Sequence, residues 1–478
     1  MLSYIHRHIR YLIPDTETRV KGGKEMKKRV ARLMALSMAA AMTASLAACG
    51  GGDSGNSGGD GGSKDGGGAS GASGGDKEIV YWNIGTESPD KDVITKAVEK
   101  FNSETESGYT VTSIPTQNDT YKEKLVVAMS SGECPDMYSC WSGGPMYEYI
   151  DSGFGQPIDD LFGDSDIKDK LMESAVGQAT YNGKIYAVPY QNVSMSGIFY
   201  NKEMFDKYKL EEPETLADLE EICDTLKEND ITPFALANSS KWTGSMYYMN
   251  LAARYGGLEP FQKAVAGEGK FTDECFIKAG EKIQEWVEAG YFPDGVNSLS
   301  EDDGQAKQLM YQETAGMLLC GSWYTGTFAT DSAEFYEKIG WFPFPAIEES
   351  EADPSIMIGT VGDQFIVFNC EGDKLKAAFE CAETHLDDEV IDFEVENGKI
   401  PPVIGIEDKL TDSITKEVVE AANNASEIQL WYDQYLPPAV ATAHLDGLQE
   451  VFGLTKTPQE AQEAMQKAMD EYLANKAE

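Results

Sequence analysis

The chain has 478 residues, with 39 Lys+Arg against 81 Asp+Glu and a formal charge of −42. So acidic a surface is repelled by phosphate backbones and anionic lipid, which excludes nucleic acid as a partner and disfavours an anionic small ligand unless a basic pocket overrides the global field. The part beyond residue 76, about 400 residues, is too long for one hydrophobic core and implies two domains.

In chain order the first feature is basic: Lys27, Lys28, Arg29 and Arg32 precede an apolar run from Leu33 to Ala48. That is the layout of a secretory signal peptide over residues 26–48. The run of sixteen residues falls short of the roughly 20 that a spanning helix needs, and it ends in small residues rather than positive charge. Leu46-Ala47-Ala48-Cys49 resembles the lipobox of bacterial lipoproteins. The resemblance implies cleavage before Cys49 and a diacylglycerol on its sulfur. It thereby implies export and lipid anchoring of the Gram-positive type on the extracellular face of the cell membrane, where two acyl chains hold a protein stably. Residues 1–25 precede the signal peptide and read as a start assigned too early, because codons for "KGGKE" can spell a ribosome-binding sequence ahead of Met26. Residues 50–76 hold almost no apolar side chain and read, with Cys49, as a flexible Gly/Ser/Asp tether over 49–76. Removing residues 1–48 takes away nine basic and three acidic side chains and leaves 30 Lys+Arg against 78 Asp+Glu.

The folded part opens with a strand, Ile79 to Trp82, a polar loop, and a helix that Ser88 can cap with Pro89 at its first position. Val93, Ala97, Val98 and Phe101 fall on one face of that helix. A second strand, "YTVTSIP", precedes a helix from Asp119 to Ser131 stopped by Gly132, and "PDMYSCW" is a third strand ending in the loop "SGGP". This alternation predicts an α/β sheet with parallel pairing. Ligands of such sheets bind beyond the carboxyl ends of the strands, where the loops "WNIGTESPD" and "WSGGPM" lie. "GKIYAVPYQNVSMSGIFYNKEMF" holds two strand-like runs around Pro189. Thr215 with Asp218 makes a capping-box pattern, Gly290 closes the helix containing Trp286, and Thr457, Pro458 and Glu460 open a C-terminal helix. Trp286 repeats with Ile283 and Val287 and reads as core.

Enzyme chemistry finds little footing. His385 and His444 sit in positions unsuited to zinc, and beyond residue 76 the sequence holds no H-E-x-x-H, G-x-S-x-G or C-x-x-C motif. "GEGKFT", Gly267 to Thr272, lacks the upstream glycine of a phosphate loop and has Phe271 where Ser or Thr should meet magnesium. No cofactor or metal is implied. The many carboxylates could furnish a glycosidase pair, but no pattern singles one out. Seven cysteines follow Cys49, an odd number, and most lie in apolar patterns. Cys134 and Cys140 are the pair to test for a disulfide.

Seven segments together resemble the extracellular solute-binding proteins of carbohydrate ABC transporters, the maltose-binding-protein-like group. They are "FNSETESGYTVTSIP", "YKEKLVVAMSSGECPDMYSCW", "YNGKIYAVPYQ", "GIFYNKEMFDKYKLEEPETLADLEEICDTLKENDITPFAL", "AGYFPDGVNSLSEDDGQAKQLMYQETAGMLLCGSW", "WFPFPAI" and "LWYDQYLPPAVA", which cover nearly all of residues 77–470 in order. The resemblance implies an α/β, two-lobe periplasmic-binding-protein-like fold with hinge strands and a ligand cleft between the lobes. Residues 77–189 with about 356–405 would form lobe one, and about 190–355 with 406–478 lobe two. It implies a monomeric receptor that closes on a sugar and delivers it to separate permease subunits, with no catalysis of its own.

A sugar cleft needs apolar ring faces against pyranose C–H groups and planar polar groups for the hydroxyls. Trp242 in "SSKWTGS" and Trp323 in "GSWYTGT" fit best, because the small polar residues around them read as open loops; Trp431, with Asp433 and Gln434 beside it, comes next. Glu87, Tyr121, Ser142 and Asp363 are hydrogen-bonding candidates, although Glu87 could serve a helix start and Asp363 a turn. Tyr190 and Gln191 lie at the expected hinge and could bind ligand or set its geometry. Lys241 is the one cation beside a favoured aromatic, and so few positive charges point to a neutral mono- or oligosaccharide. Two rivals stay open: the same fold binding a polyamine, peptide or metal chelate, and an exported glycoside hydrolase.

Overall fold

The computed structural model describes residues 77–477. The signal-peptide pattern, Cys49 and the tether lie outside the described residues. The described residues hold eleven strands: β1 (Glu78–Asn83), β2 (Thr110–Pro115), β3 (Met137–Cys140), β4 (Thr180–Tyr181), β5 (Lys184–Ile185), β6 (Ala187–Asn201), β7 (Thr232–Phe234), β8 (Ala315–Gly321), β9 (Ile339–Phe342), β10 (Met357–Phe368) and β11 (Ile428–Gln429). β4 and β5 form a separate ribbon; the others form one sheet in the order β2-β1-β3-β10-β6-β8-β7, with β9 on β6 and β11 on β10.

The sheet contains two parallel blocks. β1 pairs in parallel with β2 and β3, and β7 with β8, each linked through helices as parallel strands require. Helices Asp90–Glu104, Gly372–Thr384 and Asp388–Glu396 pack together on the first block. Helices Trp242–Gly256, Glu274–Ala289, Pro438–Phe452 and Pro458–Ala477 pack together on the second. These are two α/β lobes, and two long antiparallel strands, β6 and β10, run from one to the other. Both crossing strands are buried over nearly their whole length although they carry polar residues, among them Gln191, Asn192, Ser194, Ser196, Thr360 and Gln364.

The crossing has a distinct backbone. The β6–β10 register shifts between Val361, Gln364 and Phe365, and Gly362 there has φ 100°. On the facing strand Asn192 adopts φ 39°, a left-handed conformation that asparagine tolerates better than most residues. Its carboxamide oxygen accepts from the Ile400 N–H at 3.2 Å while the Val193 N–H donates to the Ile400 carbonyl at 2.7 Å. The two runs expected around Pro189 are therefore one strand of 15 residues. Pro189, which has no N–H to give, is accommodated where the register shifts opposite Phe365.

Local signals were followed closely elsewhere. The Thr215–Asp218 capping box forms, Gly132 and Gly290 close their helices in the left-handed region, and Thr457 exchanges hydrogen bonds with Glu460. Trp286 is buried in the second lobe with its indole N–H on Glu220 at 2.7 Å. One cap differs: the first helix begins at Asp90 after Pro89, and the Ser88 hydroxyl donates to the Asp92 side chain at 2.6 Å instead of capping. Cys134 and Cys140 do not pair; all seven described cysteines are free thiols. Among the described residues no helix is long and apolar enough to cross a membrane.

Candidate functional site

The carboxyl ends of the strands in both lobes face a common seam. In the second lobe each such end delivers a tryptophan. β7 leads through "ALANSSK" to Trp242, β8 ends at Gly321 two residues before Trp323, and β11 ends two residues before Trp431. The three indoles meet: Trp323 lies 6.1 Å from Trp242 and 5.9 Å from Trp431 between ring centroids, the latter pair edge to face. Gly321 makes this possible, since a Cβ there would stand 2.0 Å from the Trp323 ring.

The loops expected around these tryptophans are helix starts. Trp242 is the first residue of helix Trp242–Gly256 and Trp323 immediately precedes helix Tyr324–Asp331. The approach to Trp242 is strained: Lys241 has φ 64° and ψ −43°, and the Trp242 N–H closes back on the Ser240 carbonyl at 2.7 Å. Such a tight γ-turn with positive φ is rare, and strain of this kind persists only where its surroundings hold it. Here they include Thr243 Oγ1 donating to the Ala237 carbonyl at 2.6 Å and the Gly244 N–H donating to Asn238 Oδ1 at 3.0 Å.

The lobes are closed on each other. Trp242 Nε1 donates across the seam to Asp119 Oδ1 at 3.3 Å, and Lys307 bridges to Glu87 at 3.1 Å. Lys122 stands 3.6 Å from Asp433 and 4.8 Å from the centre of the Trp141 ring. Gly326 of the second lobe abuts the Asn397–Gly398 backbone of the first. Along this seam and the crossing strands, several buried polar groups lack a hydrogen-bond partner among the described residues: Trp431 Nε1, Thr325 Oγ1, Gln191 Nε2 and both side-chain atoms of Gln364. Gln191 and Gln364 are register partners across β6 and β10, so the Gln191 amide nitrogen and both polar atoms of the Gln364 carboxamide stand without partners at the crossing.

Two carboxyls here are held protonated more readily than usual. Burial pushes Asp363 up to about 7, the opposing pull of Lys399 notwithstanding. Burial likewise pushes Glu301 up to about 7, against the lowering effects of the Tyr324 hydroxyl and Lys307.

The remaining candidates divide. Tyr121 is not in the cleft: it is fully buried and its hydroxyl donates to the Ser139 carbonyl at 2.6 Å. Tyr190 is likewise core, its hydroxyl 2.9 Å from Ser139 Oγ and its ring edge-on to His385. Ser142 is buried and donates to the Gln178 carbonyl at 2.8 Å. Lys241 turns its ammonium to Asp446 at 2.6 Å. The Glu87 carbonyl accepts from the Lys91 N–H at the helix start at 2.9 Å while its carboxylate bridges to Lys307, and Asp433 faces Lys122. Gln434 is half-buried, and its carbonyl lies against Gly143, where a Cβ would come within 2.3 Å. Asp119, Lys122 and Gln364 were missed by sequence reasoning; the only signal was that each adjoins a stretch already singled out.

Among the described residues no group of three or more His, Cys, Asp or Glu side chains is placed to hold a metal. His385 and His444 are buried and pushed down to about 4 and about 3 by that burial.

Comparison with known proteins gives a consistent answer. Residues 85–384 match the family model described as bacterial extracellular solute-binding protein. An uncharacterised ABC transporter extracellular-binding protein of Pyrococcus horikoshii is 30% identical over 227 residues, 47% of this chain and 50% of that protein. The chain thus spans about half the length of that curated relative. The melibiose/raffinose/stachyose-binding protein of Bacillus subtilis is 25% identical, over 59% of this chain and 63% of the relative. A solved structure from work on xylan utilisation by Caldanaerobius polysaccharolyticus superposes with a TM-score of 0.75 at 28% identity, covering 82% of this chain and 99% of that one.

Proposed function

This chain belongs to the bacterial extracellular solute-binding protein family, and from that premise we propose that it is the substrate receptor of an ABC importer for a neutral mono- or oligosaccharide. The observation that carries the reading is the group of three tryptophans at strand ends of one lobe, closed over by the other lobe, with buried polar atoms left unpartnered on Trp431 and on the crossing strands. Indole faces suit the C–H faces of a pyranose, and a carboxamide offers both donor and acceptor to a hydroxyl that is both as well. A buried polar group without a partner costs about 1–3 kcal/mol, so a polyhydroxylated guest that meets Gln191, Gln364 and Trp431 Nε1 relieves several such costs at once.

Capture follows by population shift. Open and closed forms exchange about the β6–β10 crossing, and the guest favours the closed form because only there do both lobes touch it. The closed protein then docks on membrane permease subunits. Export through the 26–48 signal and anchoring through an acylated Cys49 keep a monomeric receptor beside its transporter, with the 49–76 tether maintaining a high local concentration. The sequence relatives named above are binding proteins by description, and the glycosidase alternative draws no support from them.

A thermal-shift screen of residues 77–478 tests this against galactose, xylo-oligosaccharides, raffinose, stachyose, sugar acids, spermidine and short peptides. A ligand at 100 times its dissociation constant should add about 2.7 kcal/mol, an easily visible shift. A hit among the neutral sugars without release of product is the expected result. A shift from spermidine or a peptide alone would overturn the ligand class, and hydrolysis of a bound oligosaccharide would overturn the receptor reading.

A further inference from the structure

The first-lobe helix Asn118–Ser131 begins without a cap of its own: Gln117 occupies the cap position, and its side chain makes no capping hydrogen bond. A helix start leaves its first N–H groups without intrahelical partners, and a side-chain oxygen supplied to the second or third of them is the usual remedy. Here that oxygen comes from the other lobe. Asp302 Oδ2 accepts from the Asp119 N–H at 3.0 Å, across 183 residues of sequence. Gln117 Nε2 returns a bond to the Asp302 carbonyl at 3.1 Å. The carboxylate also lies at the positive end of the helix dipole, where negative charge is favoured.

The loop that presents Asp302 is wound on itself. The Ser300 N–H donates to Gln305 Oε1, the Asp303 N–H donates to Ser300 Oγ at 3.1 Å, and the Gly304 N–H closes on the Glu301 carbonyl at 2.8 Å. Gly304 holds φ 66°, and Glu301 is anchored by the Tyr324 hydroxyl. The acceptor is thus held by hydrogen bonds made within the second lobe, and the donor by the helix of the first.

We propose that Asp302 is the latch of the closed form, capping the helix of the opposite lobe so that lobe closure, and with it ligand affinity, depends on a positioning residue assigned no contact with the guest. The proposal rests on the reading of two lobes that open and close, but its test needs no ligand. Lys307 bridges both to Glu87 of the first lobe at 3.1 Å and to Asp331 of its own lobe at 3.0 Å. A water-soluble carbodiimide joins an ammonium to a touching carboxylate as an amide with no spacer. The ratio of Lys307–Glu87 to Lys307–Asp331 cross-linked peptides, read by mass spectrometry, therefore reports the closed population with an internal reference.

Asp302→Ala should lower that ratio by roughly threefold to tenfold, the range of a lost helix cap, while Asp302→Asn, which keeps an acceptor, should stay within about twofold of the parent. Gln117→Ala tests the same contact from the first lobe and should move the ratio in the same direction by less. A ratio unchanged in Asp302→Ala, an Asn variant that falls as far as the Ala variant, or absence of the interlobe peptide from the parent protein would each overturn the latch. Silence in the sugar screen beside an Asp302-dependent ratio would retire the sugar reading and leave the latch standing.

Discussion

The aromatic groups of the two lobes are built from similar materials and reach opposite ends. In the first lobe Tyr81, Tyr121 and Tyr190 converge on Ser139, and each hydroxyl finds a partner in its side chain or carbonyl. In the second lobe Trp242, Trp323 and Trp431 converge on one another at strand ends, and the buried Trp431 N–H has no partner among the described residues. A satisfied buried network stabilises a scaffold, whereas clustered indoles with polar groups left over are equipped to meet something else. Aromatic content alone does not mark a binding site; unspent hydrogen-bonding capacity does.

The largest effect should come from the unspent group. Trp323→Ala removes the central indole and should weaken sugar binding by about 2 kcal/mol or more, roughly thirtyfold, with a much smaller change in the unfolding temperature of the free protein. Calorimetric titration with whichever sugar the screen returns decides it, and an affinity within twofold of the parent would erase the contrast between the lobes. Next is the seam itself. Gly326→Ala would place a Cβ 2.5 Å from the Asn397 carbonyl and 3.1 Å from Pro89 Cγ, so it should hold the lobes apart and cost affinity by about 1–3 kcal/mol. Small-angle scattering of the loaded variant should show a larger radius of gyration than the parent. Tyr190→Phe probes the satisfied side: stability to urea should fall by about 1 kcal/mol while affinity holds. Loss of sugar binding in that variant would return Tyr190 to the cleft.

The smallest effect concerns pH. Glu301 and Asp363, ordinarily near 4.5 and 3.8, stand at about 7 in the fold because of burial. Between those limits the folded chain keeps protons that the unfolded chain has released, so stability rises as pH falls from 7.5 toward 6.5. His385 and His444 work the other way below about 6.5, because burial keeps them neutral while the unfolded chain takes up protons. The unfolding midpoint should accordingly be higher at pH 6.5 than at pH 7.5, and Glu301→Gln should flatten the difference. A midpoint that falls over that interval in the parent protein would refute the assignment.

Short-range features were legible because their physics is local. The Thr215–Asp218 box spans three residues, the left-handed Gly132 and Gly290 follow their helices directly, and the alternation of strands with helices announces parallel pairing before any contact is known. Trp242 and Trp323 were recognisable as candidates from the small polar residues beside them, even though those residues turned out to start helices, and Trp431 from Asp433 and Gln434 beside it. The sequence by itself thus determined the local caps, the α/β class and a short list of aromatic residues. The tertiary structure alone decided which polar atoms were already occupied. Tyr121 and Tyr190 differ from a cleft tyrosine only in that Ser139 lies within reach, and Asp302 becomes a cap only when a helix start 183 residues away is brought against it. A hydrogen bond is decided by a few tenths of an ångström between atoms whose separation along the chain carries no pattern, and that distance exists only once the lobes have folded and met.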